Sequence, residues 1–201
     1  MGNLVGCVAP DFDAPAVLKN GSIESSVNLT EMRAGKYALL VFYPRDFTFV
    51  CPTELLALNS RISQFAERDV EVFGISVDSE HTHNAWRNTP VENGGIGSLD
   101  YTLIADSSHS ICREYGVETQ GGGEAFRANF LIDREGIVRH QLINDLPLGR
   151  DIDEALRVVD ALQFHEQHGE VCPAGWQQGK AGMQENAAGV ADYLGQHANA
   201  L

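Results

Sequence analysis

The sequence predicts an α/β domain, a mixed β-sheet sandwiched by helices. Three observations carry this. Residues 37–43 (YALLVFY) and 70–77 (VEVFGISV) are nearly continuous apolar runs, as expected of strands buried on both faces. Apolar residues at helical spacing follow the first run, and a second helical pattern follows the other. Two turn signals, at residues 19–22 and 133–136, each lie between strand-like runs and predict hairpins.

Taken in order, residues 12–18 and 22–28 flank Lys19-Asn20-Gly21-Ser22, and Asn-Gly in that place is a hairpin signal. Residues 37–43 make the first core strand. Beyond Cys51, the residues Leu55, Leu56, Leu58, Ile62 and Phe65 predict one helix running to Arg68. Residues 70–77 make the second core strand. Residues 80–88 read as a helix with Trp86 on one face, 101–105 as a short strand and 108–115 as a short helix. Residues 126–132 and 137–143 flank Asp133-Arg134-Glu135-Gly136 and form the second hairpin. A helix from Ile152 to about His165 turns Ile152, Ala155, Leu156, Val159 and Leu162 inward. The order β-α-β, a further β-α unit, then β-β-α is satisfied by a thioredoxin-like three-layer α/β/α sandwich with an N-terminal hairpin. Composition changes after His168. Residues 169–201 are rich in Gly, Ala, Gln and Asn and cannot build a core of their own. The expected division is a domain over residues 1–168 and a C-terminal arm over 169–201. That arm carries Cys172 and lies on the domain, lies on a partner subunit or stays mobile.

The 201 residues, 43% hydrophobic, suit one domain with a full core plus an appendage. No run is long and apolar enough for a transmembrane helix. The start, Met1-Gly2-Asn3-Leu4-Val5-Gly6-Cys7, lacks the features of a signal peptide, so the cytoplasm is the expected compartment. A net charge of −14 argues against nucleic acid or an anionic membrane as partner. Only Lys19, Lys36 and Lys180 are lysine, which suits either a salty cytoplasm or ordinary solubility. Cys7, Cys51, Cys112 and Cys172 show no C-x-x-C spacing, which removes a thioredoxin-type dithiol and a zinc ribbon. In a reducing cytosol such cysteines are free thiols or redox-active.

Cys51 is the most informative residue. It follows a polar-aromatic turn and opens a helical pattern, facing free backbone N–H groups and the positive end of the helix dipole. That setting favours a thiolate nucleophile. Pro52 suits the first helical turn. Thr48 offers a hydroxyl that can donate and accept, and can serve as a cap. Glu54 lies one turn along and calls for a cation beside it, with Arg127 and Arg150 as candidates. Activating the thiol is not enough: full deprotonation gains only about thirtyfold in thiolate at pH 7. A fast enzyme must also stabilise charge on the leaving atom.

The pattern Pro44-x-x-x-Thr48-x-x-Cys51 resembles the active-site motif of the peroxiredoxins, and the wider run is similar to their typical two-cysteine subfamily. Four further segments agree: Asn93-Gly94-Gly95-Ile96-Gly97, Asn144-Asp145-Leu146-Pro147-Leu148-Gly149-Arg150, the run from His168 through Cys172 to Trp176, and the strand start Phe126-Arg127. The resemblance spans Asp11 to about Trp176. It implies a thiol-dependent peroxidase acting on hydrogen peroxide and organic hydroperoxides in antioxidant defence. Cys51 is then the peroxidatic cysteine, oxidised to a sulfenic acid. Pro44, Thr48 and Arg127 shape the pocket, and Glu54 and Arg150 form a supporting pair. Cys172 resembles the resolving cysteine, which attacks the sulfenic acid of the other subunit. The intersubunit disulfide is reduced by a thioredoxin-like protein. The implied assembly is a homodimer, with a decameric ring of dimers as the further expectation; dimer and ring both stay open. No metal or dissociable cofactor is implied. One feature departs from the pattern. Overoxidation-sensitive members pair Gly-Gly-Leu-Gly with Tyr-Phe, whereas this chain has Gly94-Gly95-Ile96-Gly97 and Tyr193-Leu194, so intermediate sensitivity is expected.

Blander readings stand beside these. A cysteine before a helix is commonly a small buried hydrophobe, and Cys7 and Cys112 are read that way. Arg127 alone could be a surface ion pair. His165-Glu166-Gln167-His168 is one residue short of H-E-x-x-H and reads as a solvated helix end. His81 and His83 read as surface residues of a helix start, and Gly121-Gly122-Gly123 as a flexible turn. Two other function classes remain: a ring-shaped holdase or peroxide sensor, separated by whether peroxide turns over with a reductant, and a disulfide oxidoreductase, which lacks its C-x-x-C.

Overall fold

A computed structural model describes residues 2–200, which fall into two compact units, one ending at Ile152 and one beginning at Asp153. The first unit holds a seven-stranded mixed sheet. Its strands are β1 (Asp13–Val17), β2 (Ile23–Asn28), β3 (Tyr37–Phe42), β4 (Val70–Ser76), β5 (Thr102–Ala105), β6 (Arg127–Ile132) and β7 (Val138–Asn144), in the spatial order β2-β1-β5-β4-β3-β6-β7. Strands β3, β4 and β5 run parallel, and every other pairing is antiparallel. The helices of this unit are α1 (Leu29–Arg33), α2 (Cys51–Asn59), α3 (Ile62–Glu67), α4 (Glu80–Arg87) and α5 (Ser110–Glu114). The second unit holds α6 (Ile152–His168), which starts at the boundary, and α7 (Ala187–His197).

The apolar runs behave as expected. Every residue of β3 and all but one of β4 are buried, because both strands are interior to the sheet. Both predicted hairpins form, and Gly21 supplies the positive φ of the first turn. The docking of β1 on β5 is not legible from local periodicity; it draws the N-terminal hairpin into the main sheet.

The single helix expected over residues 51–68 is two. Ser60 turns its hydroxyl back onto the Ala57 carbonyl at 2.7 Å, and the Arg61 amide tightens onto Leu58 at 3.0 Å. The Asn59 side chain is taken by the Asp100 amide at 2.8 Å. Leu55, Leu58 and Phe65 stay buried across the break, while Leu56 and Ile62 are only half-buried. The last core helix runs three residues past the expected end, to His168, where Gly169 adopts a left-handed conformation and closes it onto the His165 carbonyl. His165 and His168 are exposed there, as expected of a solvated helix end.

Residues 94–97 pack against α4. The Trp86 indole donates to the Gly94 carbonyl at 2.9 Å, and Ile96 is buried. A methyl group at Gly95 would collide with the backbone carbonyl of Thr89, which cannot rotate away. Gly95→Ala is therefore expected to lower unfolding stability by about 2 kcal/mol, read as a shift in urea midpoint without a change in slope.

Candidate active site

Strand β3 ends at Phe42, and residues 44–50 carry the chain to the first residue of α2, which is Cys51. The loop is anchored from below. The Tyr43 hydroxyl donates to Asp46 at 2.8 Å, and the Asp46 amide donates to the Asp78 carboxylate at 2.8 Å. Asp46 also meets His83 Nδ1 at 2.7 Å. Contrary to the sequence expectation, His83 is wholly buried, whereas His81 is exposed. The Ile104 carbonyl lies 3.1 Å from His83 Nε2 and can only accept, which assigns a proton to that nitrogen. Burial pushes the Asp46 carboxyl up, and the bond and charge of His83 offset this only in part. Phe47, at the turn, takes a left-handed conformation (φ 54°) uncommon for an aromatic residue.

No side chain caps α2. Thr48 does not fill that role: its hydroxyl donates to the Arg45 carbonyl at 2.8 Å, so its oxygen is left to accept. Pro52 stands in the first turn, where its missing N–H costs nothing. Pro44 is buried where the strand gives way to the loop.

Strand β6 pairs with β3 and places its first residue, Arg127, beside α2. Arg127 Nη1 donates to Cys51 Sγ at 3.3 Å and to Glu54 Oε2 at 2.7 Å, while Nε donates to the Leu146 carbonyl at 2.6 Å. Arg150 donates from its backbone amide and Nε to Glu54 Oε1, each at 2.8 Å, and from Nη2 to Oε2 at 3.0 Å. Its Nη1 reaches the Phe42 and Ala128 carbonyls and Asn129 Oδ1 at 2.7, 2.8 and 3.0 Å. Both candidate cations therefore meet one carboxylate. Cys51 is fully buried, and the Arg127, Glu54 and Arg150 side chains are each at most 5% exposed. Two guanidinium charges face one carboxylate, leaving one positive charge beside the sulfur. Burial pushes the Glu54 carboxyl up, but the hydrogen bonds and charge of Arg150, joined by Arg127, outweigh it and hold Glu54 below its ordinary value. Burial likewise works against the Arg127 charge. The Cys51 sulfur and Glu54 outweigh it, and the guanidinium is held above its ordinary value.

The remaining cysteines sit elsewhere. Cys7 is exposed. Cys112 is buried on α5, and burial, with Asp106, pushes its thiol up to about 12. Among the described residues His109, Cys112 and Glu118 bring ligand-type atoms within 4.8 Å of one another. Both Glu118 oxygens already bond Arg113 and one bonds His109, and the Cys112 thiol resists ionisation, so this group is poorly suited to a metal. In the second unit Cys172 is half-buried and donates to the Ala161 carbonyl of α6 at 3.4 Å.

An amide in place of the Glu54 carboxylate removes the charge that both guanidinium groups face and sets an NH2 donor where one oxygen accepted. Glu54→Gln is expected to cost about 3 kcal/mol of stability at neutral pH, as for a broken buried pair. Because the folded value of Glu54 is depressed, its contribution is present above the unfolded carboxyl range and is lost as pH falls through the folded value. Urea titrations from pH 7 down to pH 3 should show a shallower acid decline in Glu54→Gln than in the parent chain; equal declines would contradict the assignment.

Comparison with known proteins places this geometry. The chain matches the AhpC/TSA family over residues 5–141 and the C-terminal domain of 1-Cys peroxiredoxin over residues 161–196. It is 51% identical over 191 residues to alkyl hydroperoxide reductase C of Helicobacter pylori, covering 95% of this chain and 96% of the relative. Peroxiredoxin-2 of Cricetulus griseus is 47% identical over 193 residues, 96% of each chain. The reduced 2-Cys peroxiredoxin of Plasmodium vivax superposes with a TM-score of 0.93 at 49% identity, covering 96% of this chain and 100% of that one. A shared thioredoxin-like fold and near-half identity along almost the whole length leave one conclusion: the chain belongs to the AhpC/TSA family, the peroxiredoxins, which are thiol-dependent peroxidases.

Proposed function

We propose that Cys51 reduces hydrogen peroxide and organic hydroperoxides, and that Cys172 of a second chain then resolves the oxidised sulfur. One observation carries the reading: the Arg127 guanidinium touches Cys51 Sγ while Glu54 and the Leu146 carbonyl fix its direction. A thiolate attacks the terminal peroxide oxygen. The S–O bond forms, the O–O bond breaks, and the departing oxygen takes a proton and leaves as water or alcohol. Negative charge moves from sulfur towards the leaving oxygen. The unbalanced positive charge of Arg127 lies where it can follow, and it is already held there before reaction. The Thr48 hydroxyl, its proton spent on Arg45, is left to accept from the peroxide O–H. Pro44, buried at the head of the loop, belongs to the proposed pocket.

The burial of Cys51 requires a second conformation. A small shift of the enclosing side chains admits a peroxide to the enclosed sulfur, whereas a thiol carried on another chain needs the first turn of α2 to open after oxidation. That turn has no side-chain cap, so what holds it is the contact of Cys51 with Arg127 and the Thr53 hydroxyl on the Val50 carbonyl. Cys172 displaces hydroxide from the sulfenic acid, giving an intersubunit disulfide and water. A thioredoxin-like dithiol returns both cysteines to thiols. Burial holds the Cys172 thiol above its ordinary value, with the Arg157 charge working against this. The expected assembly is a homodimer, further joined as a decameric ring, in the reducing cytoplasm.

Cys51→Ser should abolish peroxide consumption and labelling by a sulfenic-acid probe; near-normal consumption would overturn the assignment. Cys172→Ser should still react once with peroxide but yield no dimer band on a non-reducing gel. A monomeric disulfide in the parent chain would mean resolution within one chain instead. Arg127→Gln should slow oxidation of Cys51 by about 10²-fold or more, as for loss of one oxyanion donor. Recovery of the full rate at pH 9 would show that Arg127 only assists ionisation.

A further inference from the structure

In the second unit the segment carrying Cys172 is fastened on both sides. Upstream, Val171 and Met183 exchange backbone hydrogen bonds at 2.9 and 3.0 Å, and His165 Nδ1 lies 2.8 Å from the Glu170 carbonyl. Downstream, four residues from the thiol, Trp176 is only 2% exposed. Its ring lies on Phe164 of α6 with centroids 4.8 Å apart, and its indole donates to the Lys180 carbonyl at 3.1 Å. Arg157 of α6 donates from Nη1 to the Trp176 carbonyl at 3.0 Å. Its Nε and Nη2 are held by both oxygens of Glu154 at 2.6 and 2.7 Å. Cys172 thus sits between two fixed points with its thiol turned onto Ala161. It cannot travel to another chain while both hold.

Helix α7, which carries Tyr193 and Leu194, has no buried residue, and Leu194 is 45% exposed. Within this unit the enclosed contact is therefore at Trp176, not at position 194.

We propose that Arg157 is a positioning residue that latches the arm through Trp176, and that release of this latch sets how much oxidised Cys51 is resolved and how much is overoxidised. The proposal rests on the reading of Cys172 as the resolving cysteine. Two reactions compete for the Cys51 sulfenic acid. In one, Cys172 sulfur attacks it: the S–S bond forms, the S–O bond breaks, and hydroxide leaves with the Cys172 proton as water. In the other, the sulfenate sulfur attacks a second peroxide: another S–O bond forms, the O–O bond breaks, and water or alcohol leaves, giving sulfinic acid. Only the first needs Cys172 to leave α6, so a tighter latch diverts material to the second.

The latch and a purely electrostatic role for Arg157 predict opposite signs. The Arg157 charge favours ionisation of Cys172, so its removal alone slows attack by this thiol. Release of the latch speeds it. The test is the rate of Cys172 alkylation by iodoacetamide in the reduced full-length protein, read by site-resolved mass spectrometry, for Arg157→Gln, Arg157→Lys and Trp176→Phe. Arg157→Gln should label Cys172 about tenfold faster, the size of one charge-assisted hydrogen bond at a partly exposed site. Arg157→Lys, which keeps the charge and one donor, should fall between. Trp176→Phe keeps the ring contact, loses the indole bond and leaves all charges in place; it too should label faster. Sulfinic acid per turnover with a recycling reductant should fall in the same order. Slower or unchanged labelling in Arg157→Gln together with unchanged labelling in Trp176→Phe would overturn the latch. So would faster labelling with an unchanged sulfinic yield. Absence of any Cys51–Cys172 disulfide in the parent protein would overturn the resolving role itself, and the latch with it.

Discussion

The Glu54 carboxylate is the point on which the site depends. It sits almost without solvent between two guanidinium groups, accepting from Arg127 and Arg150. Arg150 in turn ties the end of β3, the start of β6 and the first turn of α2 to one charged group. Bringing three charges out of water is costly, and such clusters add little net stability over an apolar packing of the same shape. What the cluster provides is direction. Arg127 is held against Cys51 by Glu54 and the Leu146 carbonyl, so in the proposed reaction the positive charge needs no rearrangement when charge leaves the sulfur.

In the proposed cycle the reduced state built this way must come apart at each turnover. The sulfur is enclosed at the head of α2, and the second cysteine is held on α6. On this proposal, the tight geometry that favours attack on peroxide is the same geometry that delays resolution. In the proposed cycle, peroxide reduction and its repair thus make opposite demands on the first turn of α2, which has no side-chain cap but is held through Cys51 and Glu54 to Arg127 and Arg150.

Much of this was legible in the chain because it is local. The strand-turn-helix passage to Cys51, both hairpins and the solvated end of α6 follow from turn chemistry and periodicity. Arg127 and Arg150 could be named as candidate partners of Glu54. That both meet the same carboxylate depends on β6 pairing with β3, a contact between residues about ninety positions apart that no local pattern encodes. A surface position for His83 follows from the polar composition of α4, but the helix turns this residue inward with Trp86. The available signal was its i, i+3 spacing to Trp86, which puts both on the buried face. Its partner Asp46 lies in the loop before Cys51, and a polar helix pattern alone does not reveal that anchor. The break between α2 and α3 leaves no trace in the apolar pattern because Leu55, Leu58 and Phe65 keep helical spacing across it, while the polar bonds of Ser60 and Asn59 that make it are set by neighbours.

The central claim, that Glu54 acts by aiming Arg127, is tested most directly by a double-mutant cycle on the second-order rate of Cys51 oxidation by hydrogen peroxide. The four proteins are the parent chain, Glu54→Gln, Arg127→Gln and the double variant, each measured under conditions where it is folded. If Glu54 works through Arg127, the double variant is about as slow as Arg127→Gln alone, because an arginine that is absent cannot be misdirected. Losses that multiply in the double variant would show that the two residues act independently, and would contradict the account.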